Sequence, residues 1–386
     1  MSKIDELIKE LCPNGVEYVP IWKLTAWDKK YLGVDKSKQS KIISYKYLLA
    51  KDLFALEMPE GDVKLLSTGT QEGWTTEDIA GDYLYEGEIV SIPWGKSVEA
   101  KEPVKYYKGK FVTGDNRIAC SLNDKILKNK YLYYWLHANT DKLNALYRGA
   151  SIQHPCMNDV LNLEIPLPPL PIQEEIVRIL DKFVEQQEQL EKLLELRKKQ
   201  YEYYREELLT PKEGEEWETK TLGEVCHVLR GKRLTKAQLT DTGKYKVFHG
   251  GTEPIGFYNE KNRDSNTVMI INVGASAGTI GYSDEDFWSS DGCFCLSHTD
   301  FVLSKFIYYY LLNCTHIIVS KVRYAGIPTL DSKVVEDVEI SFPSKDIQKR
   351  IVDSLISFEA SITTLTSALE ASKKRYEYYR DQLLNF

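Results

Sequence analysis

The sequence predicts an α+β protein in which two mixed, β-rich domains alternate with two long helices. The helices are expected to form an antiparallel coiled coil, so that the whole is pseudo-twofold symmetric. Three observations support this fold: a helical segment occurs twice, each copy has apolar residues at heptad spacing, and each follows a stretch of strand and turn signals. The predicted segments are a first domain at 1–165, a central helix at 166–212, a second domain at 213–343 and a C-terminal helix at 344–386.

The repeat is clearest near its end, where Lys198–Arg205 returns as Lys373–Arg380, an offset of 376 − 201 = 175 residues. At this offset Ile172–Leu209 and Ile347–Leu384 share 18 identities in 38 positions, where chance would give roughly two. A period this long indicates a duplicated domain pair rather than a solenoid. A protein built from two related halves usually binds something that itself has two halves.

The first helix follows Pro166–Pro171, a stretch with four prolines in six residues that predicts a stiff, extended lead-in. Apolar residues then recur in steps of three and four, with Gln187, Arg197 and Ser372 in the gaps. Each helix would span about 57 Å, and the antiparallel pairing is favoured because it relates the two halves by an approximate twofold axis. The predicted seam consists of Ile176, Leu180, Phe183, Leu190, Leu194, Tyr201, Tyr204, Leu208, Ile351, Leu355, Phe358, Ile362, Leu365, Leu369, Tyr376, Tyr379 and Leu383.

The two mixed domains have the same plan late in their sequences and differ earlier. Glu88–Pro93 and Thr267–Ile271 have the composition of buried strands, and Gly-rich turns follow both. A short amphipathic helix is predicted near 129–139 and again near 304–313, and the repeat offset relates the two. The scaffold was therefore kept in duplicate while the middle of each domain diverged.

The composition indicates where the protein is located and the state of its cysteines. The formal net charge is −7, no run of 18 apolar residues occurs, and the first residues lack the apolar core of a signal peptide. A cytoplasmic location is therefore expected. The seven cysteines form no CxxC pair, which favours reduced thiols over a zinc site.

Catalytic motifs are missing. Gly95–Ser97 resembles the end of a phosphate-binding loop, but valine stands where the earlier glycine is required. Glu218 and Lys220 resemble half of a nuclease motif without its acidic partner, and His154 and His249 have the setting of surface histidines. We therefore expect a non-catalytic chain with no metal ion or cofactor of its own.

Two divergent domains on paired helices, without an active site, suggest a ruler or an adaptor. The pattern resembles the DNA-specificity (S) subunit of type I restriction–modification systems. The resemblance covers essentially the whole chain and rests on Pro166–Ile176, its echo at Gln348–Val352, the repeated Tyr-Glu-Tyr-Tyr-Arg helix endings and Trp217–Val225. The second copy departs from the pattern, since Ser341–Ser344 replaces the run of prolines.

The resemblance implies two target-recognition domains that each read one half of a bipartite site in double-stranded DNA. It also implies that the coiled coil sets the gap between the half-sites, that two methyltransferase (M) subunits dock on this chain, and that restriction (R) subunits join them. S-adenosylmethionine and ATP with Mg²⁺ would belong to those partners. The negative net charge fits this picture if the partners complete a positive clamp around the duplex.

Base readout requires Arg or Lys for guanine and Asn or Gln for adenine, and phosphate contacts add Ser, Thr and backbone amides. Arg148 and Arg323 occupy equivalent positions, so we expect them to contact phosphate, because the halves should read different sequences. Candidates in the first domain are Thr68, Thr70, Gln71, Lys96, Ser97, Asn116, Arg117, Arg148, Ser151 and Gln153. Those in the second are Arg230, Lys232, Arg233, His249, Thr252, Asn272, Ser276 and Arg323.

An alternative from another class is an adaptor whose twin β-rich modules bind protein or carbohydrate, which the 25 tyrosines would permit. Footprinting on random duplex DNA separates the two functions, because such an adaptor protects nothing even with a methyltransferase present. A self-sufficient restriction enzyme is disfavoured by the missing catalytic motifs.

Overall fold

The computed structural model describes residues 3–97 and 103–386, so residues 1–2 and 98–102 of the predicted first domain lie outside the described part. The chain forms two compact units, one of residues 1–189 with 369–386 and one of residues 190–368. Each unit therefore combines one mixed domain with parts of both long helices. The split follows packing between helices rather than the linear order of the segments.

The first unit is built on a sheet in the order β2-β8-β5-β7-β3-β4, with β3 parallel to β7 and the other neighbours antiparallel. Its strands are β1 (Tyr18–Pro20), β2 (Thr25–Trp27), β3 (Val63–Leu66), β4 (Gly73–Thr75), β5 (Tyr85–Pro93), β6 (Lys96–Ser97), β7 (Lys105–Thr113), β8 (Asn116–Ser121), β9 (Tyr147–Arg148), β10 (Ile152–Pro155) and β11 (Glu164–Pro166). Its short helices are α1 (Lys3–Leu11), α2 (Ile21–Leu24), α3 (Ala50–Phe54), α4 (Glu77–Ala80), α5 (Asn129–Ala138), α6 (Thr140–Asn144) and α7 (Met157–Leu161).

The central helix α8 (Leu170–Leu208) is shorter at both ends than the predicted segment 166–212. Pro166 ends β11, which pairs with β1, and Pro168 and Pro169 precede the helix. Pro171 lies in the first turn, where the missing N–H costs nothing. Residues 166–169 thus form the extended connection into the helix, whereas Leu170 and Pro171, which were predicted to belong to the extended lead-in, are already helical.

The second unit contains a sheet in the order β13-β19-β16-β17 and another in the order β15-β14-β18. Its strands are β12 (Glu218–Thr221), β13 (Val228–Arg230), β14 (Tyr245–Phe248), β15 (Pro254–Tyr258), β16 (Thr267–Ile271), β17 (Ile280–Ser283), β18 (Phe287–Ser289), β19 (Cys293–Leu296) and β20 (Glu339–Phe342). Its helices are α9 (Leu222–Val225), α10 (Ser304–Asn313), α11 (Thr315–Ser320), α12 (Ser332–Glu336) and α13 (Lys345–Leu384), of which the last extends into the first unit.

The long helices pair antiparallel, which confirms the predicted direction. In the first unit Phe183 stacks on Tyr379 with ring centroids 5.5 Å apart, and in the second Tyr204 stacks on Phe358 at 5.4 Å. These pairs are equivalents, since 183 + 175 = 358 and 204 + 175 = 379. The seam residues are buried or half-buried except Tyr379, which keeps 44% of its surface exposed while it stacks.

The polar positions of the seam are also bonded. In the first unit the Gln187 side chain donates to the Ser372 carbonyl at 3.2 Å. In the second unit the Glu359 carboxylate accepts hydrogen bonds from the Tyr201 hydroxyl at 3.0 Å and the Tyr309 hydroxyl at 2.8 Å. Such pairs specify register, because a shift of the helices would leave these groups without partners.

A buried glutamine fastens α8 to its own domain. The Gln173 side-chain amide donates to the carbonyls of Ile126 and Pro168, both at 2.8 Å, and its oxygen accepts from the Lys128 amide at 3.0 Å. The side chain is fully buried. Gln173 therefore joins the loop before α5, the proline lead-in and the first turn of the helix.

The second unit repeats this arrangement at the offset of 175 residues. Gln348, also fully buried, donates to the carbonyls of Pro343 at 2.8 Å and Phe301 at 3.2 Å and accepts from the Leu303 amide at 2.8 Å. The two glutamines fix the angle at which each helix leaves its domain, and hence the placing of each domain on its helix.

A salt bridge ties α1 to α8 in the first unit. The Glu175 carboxylate is 4% exposed, lies 2.6 Å from Arg178 and 3.0 Å from Lys3, and these hydrogen bonds lower its pKa to about 2. A lowered pKa stabilises the fold above the unfolded pKa, and this contribution is lost as the pH falls from about 4.5 towards 2.

We therefore expect Glu175→Gln to lower the free energy of unfolding by about 1 kcal/mol at pH 7, because both partners are solvated and the pair is correspondingly weak. The difference from the parent chain should shrink as the pH falls through the window from 4.5 to 2. Urea denaturation across that range checks it, and a difference that stays constant with pH would contradict this account. Exposed Glu188→Gln, on the same helix, is the control.

Candidate nucleic-acid interface

A small antiparallel sheet brings several predicted residues of the first domain together. β10 pairs with β6 on one side and β9 on the other, so that Gln153 faces Lys96 and His154 faces Arg148. Ser151 directly precedes β10. Strand pairing thus unites candidates that lie more than fifty residues apart in the sequence, namely Lys96, Ser97, Arg148, Ser151 and Gln153.

The side chains of this sheet differ in their access to solvent. Lys96 is 6% exposed, donates to Gln153 Oε1 at 3.1 Å and lies 5.0 Å from the centre of the Tyr147 ring, and its burial lowers the pKa of the ammonium group. The Lys96 ammonium group is therefore engaged in contacts within the domain. Ser97, Ser151 and Arg148 are exposed, although the Arg148 guanidinium also bonds to the Ala145 carbonyl.

An aromatic stack that sequence reasoning missed lies beside this sheet. Arg117 lies over one face of Trp94 at 4.3 Å, and the His154 ring packs at 4.9 Å from the Trp94 ring. His154 is exposed and its Nδ1 is 2.8 Å from the Trp94 carbonyl oxygen. The stack presents an imidazole edge at the domain surface, where it can bond to phosphate or base.

Two of the predicted DNA contacts, Asn116 and Arg117, are each only 4% exposed. Arg117 bonds to Asp115 at 2.9 Å and lies 3.7 Å from Asp28, whose pKa burial raises although Arg117 opposes the shift. Asn116 donates to the Leu66 carbonyl at 2.9 Å. Both therefore make contacts within the domain at the start of β8, although Asn116 Oδ1, like Asn272 Oδ1, has no hydrogen-bond partner among the described residues.

The turn after β3 carries three further candidates. Thr70 and Gln71 are exposed and Thr68 is half-buried. The turn is held from inside, because the Ser67 hydroxyl donates to the Gln71 carbonyl at 2.6 Å and the Lys105 ammonium donates to the Ser67 carbonyl at 2.8 Å. A turn braced in this way can present side chains to DNA without an ordering cost.

In the second domain a cleft of about 420 Å³ gathers three candidates that are distant in sequence. Arg230 ends β13, Asn272 follows β16, and Arg323 follows α11. Asp291 and Asp331 line the same cleft. The charges of the two guanidinium groups and the two carboxylates cancel. A cleft that offers both donors and acceptors suits the edge of a base, which also carries both, better than it suits a phosphate, which only accepts.

Asn272 is the buried member of this cleft, with 6% of its surface exposed. Its backbone is bonded to the Gly292 carbonyl at 3.1 Å and to the Leu330 amide at 2.9 Å. The side-chain oxygen has no hydrogen-bond partner among the described residues. A buried acceptor without a donor is costly, so Asn272 is suited to a donor that enters the cleft from outside.

Three of the charged groups that line the cleft, Arg323, Asp331 and Asp291, have polar partners. Arg323 and Asp331 form an exposed salt bridge at 2.8 Å. His249, half-buried, lies with Nδ1 3.4 Å from Asp291 and 3.2 Å from the Ser290 hydroxyl. An exposed pair exchanges partners at little cost, so Arg323 can leave Asp331 for a ligand.

The remaining candidates of the second domain lie in loops. Lys232 and Arg233 are exposed after β13, and the Lys232 backbone is held by the Ser289 carbonyl at 2.9 Å and the Trp288 indole at 2.8 Å. Thr252 is exposed and Ser276 is half-buried. The structure therefore joins Arg230, Asn272 and Arg323 in one cleft and leaves Thr252 and Ser276 outside it.

The equivalent strand pairs of the two domains carry different chemistry. β5 pairs with β8 and contacts α5, and β16 pairs with β19 and contacts α10. Beside this pair the first domain has the Trp94 stack, whereas the second has the open cleft with Asn272. One scaffold thus presents two unlike surfaces, which two different half-sites require.

Residues 3–97 and 103–386 show neither a metal-binding cluster nor a membrane-spanning helix. No group of three or more His, Cys, Asp or Glu side chains there could hold a metal ion. No helix in the same ranges is both long and apolar enough to cross a membrane. The seven cysteines are free.

Comparison with known proteins agrees with this architecture. The model of the type I restriction modification DNA specificity domain matches twice, at residues 41–198 and 214–372. A putative type I restriction enzyme specificity subunit of Haemophilus influenzae is 30% identical over 80% of this chain and 86% of its own length. A type I restriction enzyme specificity subunit of Escherichia coli is 29% identical over 100% of this chain and 98% of its own.

The fold is that of a solved relative as well. The crystal structure of a type I restriction–modification S subunit from Mycoplasma genitalium aligns with a TM-score of 0.70 over 97% of both chains, at 21% sequence identity. The family model covers both halves of the internal repeat: its first match, from residue 41, contains most of the first domain, its second match contains the second domain, and each includes most of one long helix. The chain belongs to the family of type I restriction–modification DNA-specificity subunits.

Proposed function

We propose that this chain selects the DNA target of a type I restriction–modification complex and is without catalysis of its own. Each mixed domain reads one half of a bipartite site in double-stranded DNA, and the antiparallel helices set the gap between the halves. The observation that carries the proposal is the pair of unlike candidate surfaces at equivalent places of a duplicated scaffold.

The partners follow from the same duplication. Two methyltransferase subunits dock on the two equivalent halves, and restriction subunits join the assembly in the cytoplasm. S-adenosylmethionine, ATP and Mg²⁺ serve those partners. Tyr203 and Tyr378 lie 175 residues apart, and each is 62% exposed. The two long helices therefore present the same side chain at equivalent places. A second, identical subunit can dock there by the same contacts as the first.

The direct test is to express this chain with the methyltransferase encoded beside it and to map adenine methylation in the host genome by single-molecule sequencing. We expect one asymmetric bipartite motif that disappears when this chain is deleted. Unchanged methylation, from a methyltransferase shown to be active and bound to this chain, would instead support the adaptor with protein or carbohydrate ligands.

Lys232 and Arg233 provide a test of the DNA-facing surface. We expect Lys232→Ala with Arg233→Ala to weaken DNA binding and to lower the salt dependence, with the slope of log K against log salt reduced by about two. The matched control is Lys349→Ala with Arg350→Ala, which removes an exposed Lys-Arg pair from α13. Titrations of the assembled complex over a range of salt check this, and a slope equal to that of the parent would place the pair outside the interface.

A further inference from the structure

A short hairpin occurs at the same place in both recognition domains. Arg148–His154 lies between α6 and α7, and Arg323–Thr329 lies between α11 and α12, with 323 − 148 = 175. The two segments share Arg, Ala and Ile at their first, third and fifth positions. Each closes by antiparallel pairing of its first and last residues. The hairpin is thus a retained element within the part of the domain that otherwise diverged.

Both hairpins hold their isoleucine in solvent. Ile152 is 60% exposed and Ile327 is 70% exposed. The turn of the first needs Gly149, at φ +137, because a side-chain carbon there would lie 2.2 Å from the Ile152 carbonyl oxygen, and the second has Gly326 at φ +92. An aliphatic side chain held in water contributes nothing to its own domain, yet both copies keep it.

Each hairpin borders the polar groups already assigned to DNA. Ile152 pairs with Ser97, and the hairpin ends at His154 against Trp94. In the second domain both ends of the hairpin, Arg323 and Thr329, line the cleft that contains Asn272. The exposed isoleucines therefore lie at the margin of the candidate interface, beside an arginine.

What the hairpins recognise must be common to both halves of the target, because their sequence was kept where the base-reading residues diverged. The bases differ between the half-sites, but the sugar-phosphate backbone and the grooves of the duplex are common to both. Aliphatic side chains that enter the minor groove partly unstack a base step and kink the duplex, and arginines beside them neutralise phosphates.

We propose that Ile152 and Ile327 are paired wedges that enter the minor groove at the two half-sites and bend the DNA, with Arg148 and Arg323 on the flanking phosphates. The proposal rests on the DNA-recognition function above. The wedges contribute affinity and bend the DNA, and the neighbouring unlike surfaces provide the sequence specificity.

The test uses the full chain in complex with its methyltransferase and a duplex that carries the methylation motif, labelled at both ends for energy transfer. Two further duplexes each carry 2-aminopurine in one of the two half-sites, so that unstacking is reported separately for each half-site. Variants are Ile152→Ala, Ile327→Ala and both together, and the controls are the exposed isoleucines Ile79→Ala and Ile255→Ala, one in each domain.

We expect each single wedge variant to lose the 2-aminopurine signal at one half-site only and about tenfold in affinity, and the double variant to lose the bend. Full bending and unstacking by the double variant would overturn the wedges while leaving DNA recognition intact. Loss of methyltransferase binding by the double variant would overturn them in favour of a protein-docking hairpin. If the parent complex fails to select its motif, the proposed function itself fails, and the wedges with it.

Discussion

Gln348→Ala is expected to lower the free energy of unfolding of the second unit by about 3 kcal/mol. The substitution removes a fully buried amide that satisfies the carbonyls of Phe301 and Pro343 and the Leu303 amide. Each buried polar group left without a partner costs about 1–3 kcal/mol, and a water that enters the small space recovers part of the loss. Hydrogen exchange of the Leu303 amide together with chemical denaturation measures the effect.

The control is Gln382→Ala, which changes an exposed glutamine on the same helix and should leave stability within about 0.5 kcal/mol of the parent. Gln173→Ala should reproduce the loss in the first unit, with Lys128 as the exchanging amide. Equal stability of Gln348→Ala and Gln382→Ala would show that the buried amide does not fasten the helix. The effect on function should follow, because the glutamines set how each domain is carried on its helix.

Arg230→Ala combined with Arg323→Ala is expected to lower affinity for target DNA about a hundredfold or more, while affinity for unrelated duplexes falls less. Both guanidinium groups line the cleft of the second domain. Loss of a phosphate contact from Arg323 weakens binding to both DNAs, whereas a bidentate contact from Arg230 to guanine discriminates by about 1–3 kcal/mol. Competition titrations of the assembled complex with target and unrelated DNA give both affinities. An equal loss on the two DNAs would assign Arg230 to phosphate as well.

Asp331→Asn tests whether Arg323 acts in DNA binding or only in the stability of the domain. It removes the carboxylate 2.8 Å from Arg323 and leaves the guanidinium free. If Arg323 exchanges Asp331 for DNA, this variant should bind the target as tightly as the parent or more tightly. If the salt bridge only holds the domain together, Asp331→Asn should weaken DNA binding along with stability, as the arginine variant does.

The helical part of the molecule could be predicted because its signal is local. Apolar spacing in steps of three and four predicted the seam residues, and the structure shows which of them meet, such as Phe183 and Tyr379. Strand β16 was predicted at its observed bounds, Thr267–Ile271, because a short run of apolar residues between turns has few other solutions.

The candidate interface was less predictable, because residue type does not report burial. Asn116 and Arg117 have the chemistry of DNA readers, but neighbouring strands cover both and give them internal partners. Asn272 is almost as buried as Asn116 but lines a cleft. What covers a strand end depends on residues far away in the sequence.

By itself the sequence determined the duplication, the seam of the two long helices, the absence of recognisable catalytic motifs and the family resemblance. All of these depend on short-range spacing or on motifs that lie within one segment. Only the tertiary structure decided which polar side chains meet. It joined Arg230, Asn272 and Arg323, buried Lys96 and Arg117, and left Ile152 and Ile327 in solvent. The physical reason is that long-range packing, which a linear pattern does not encode residue by residue, sets exposure and hydrogen-bond partners.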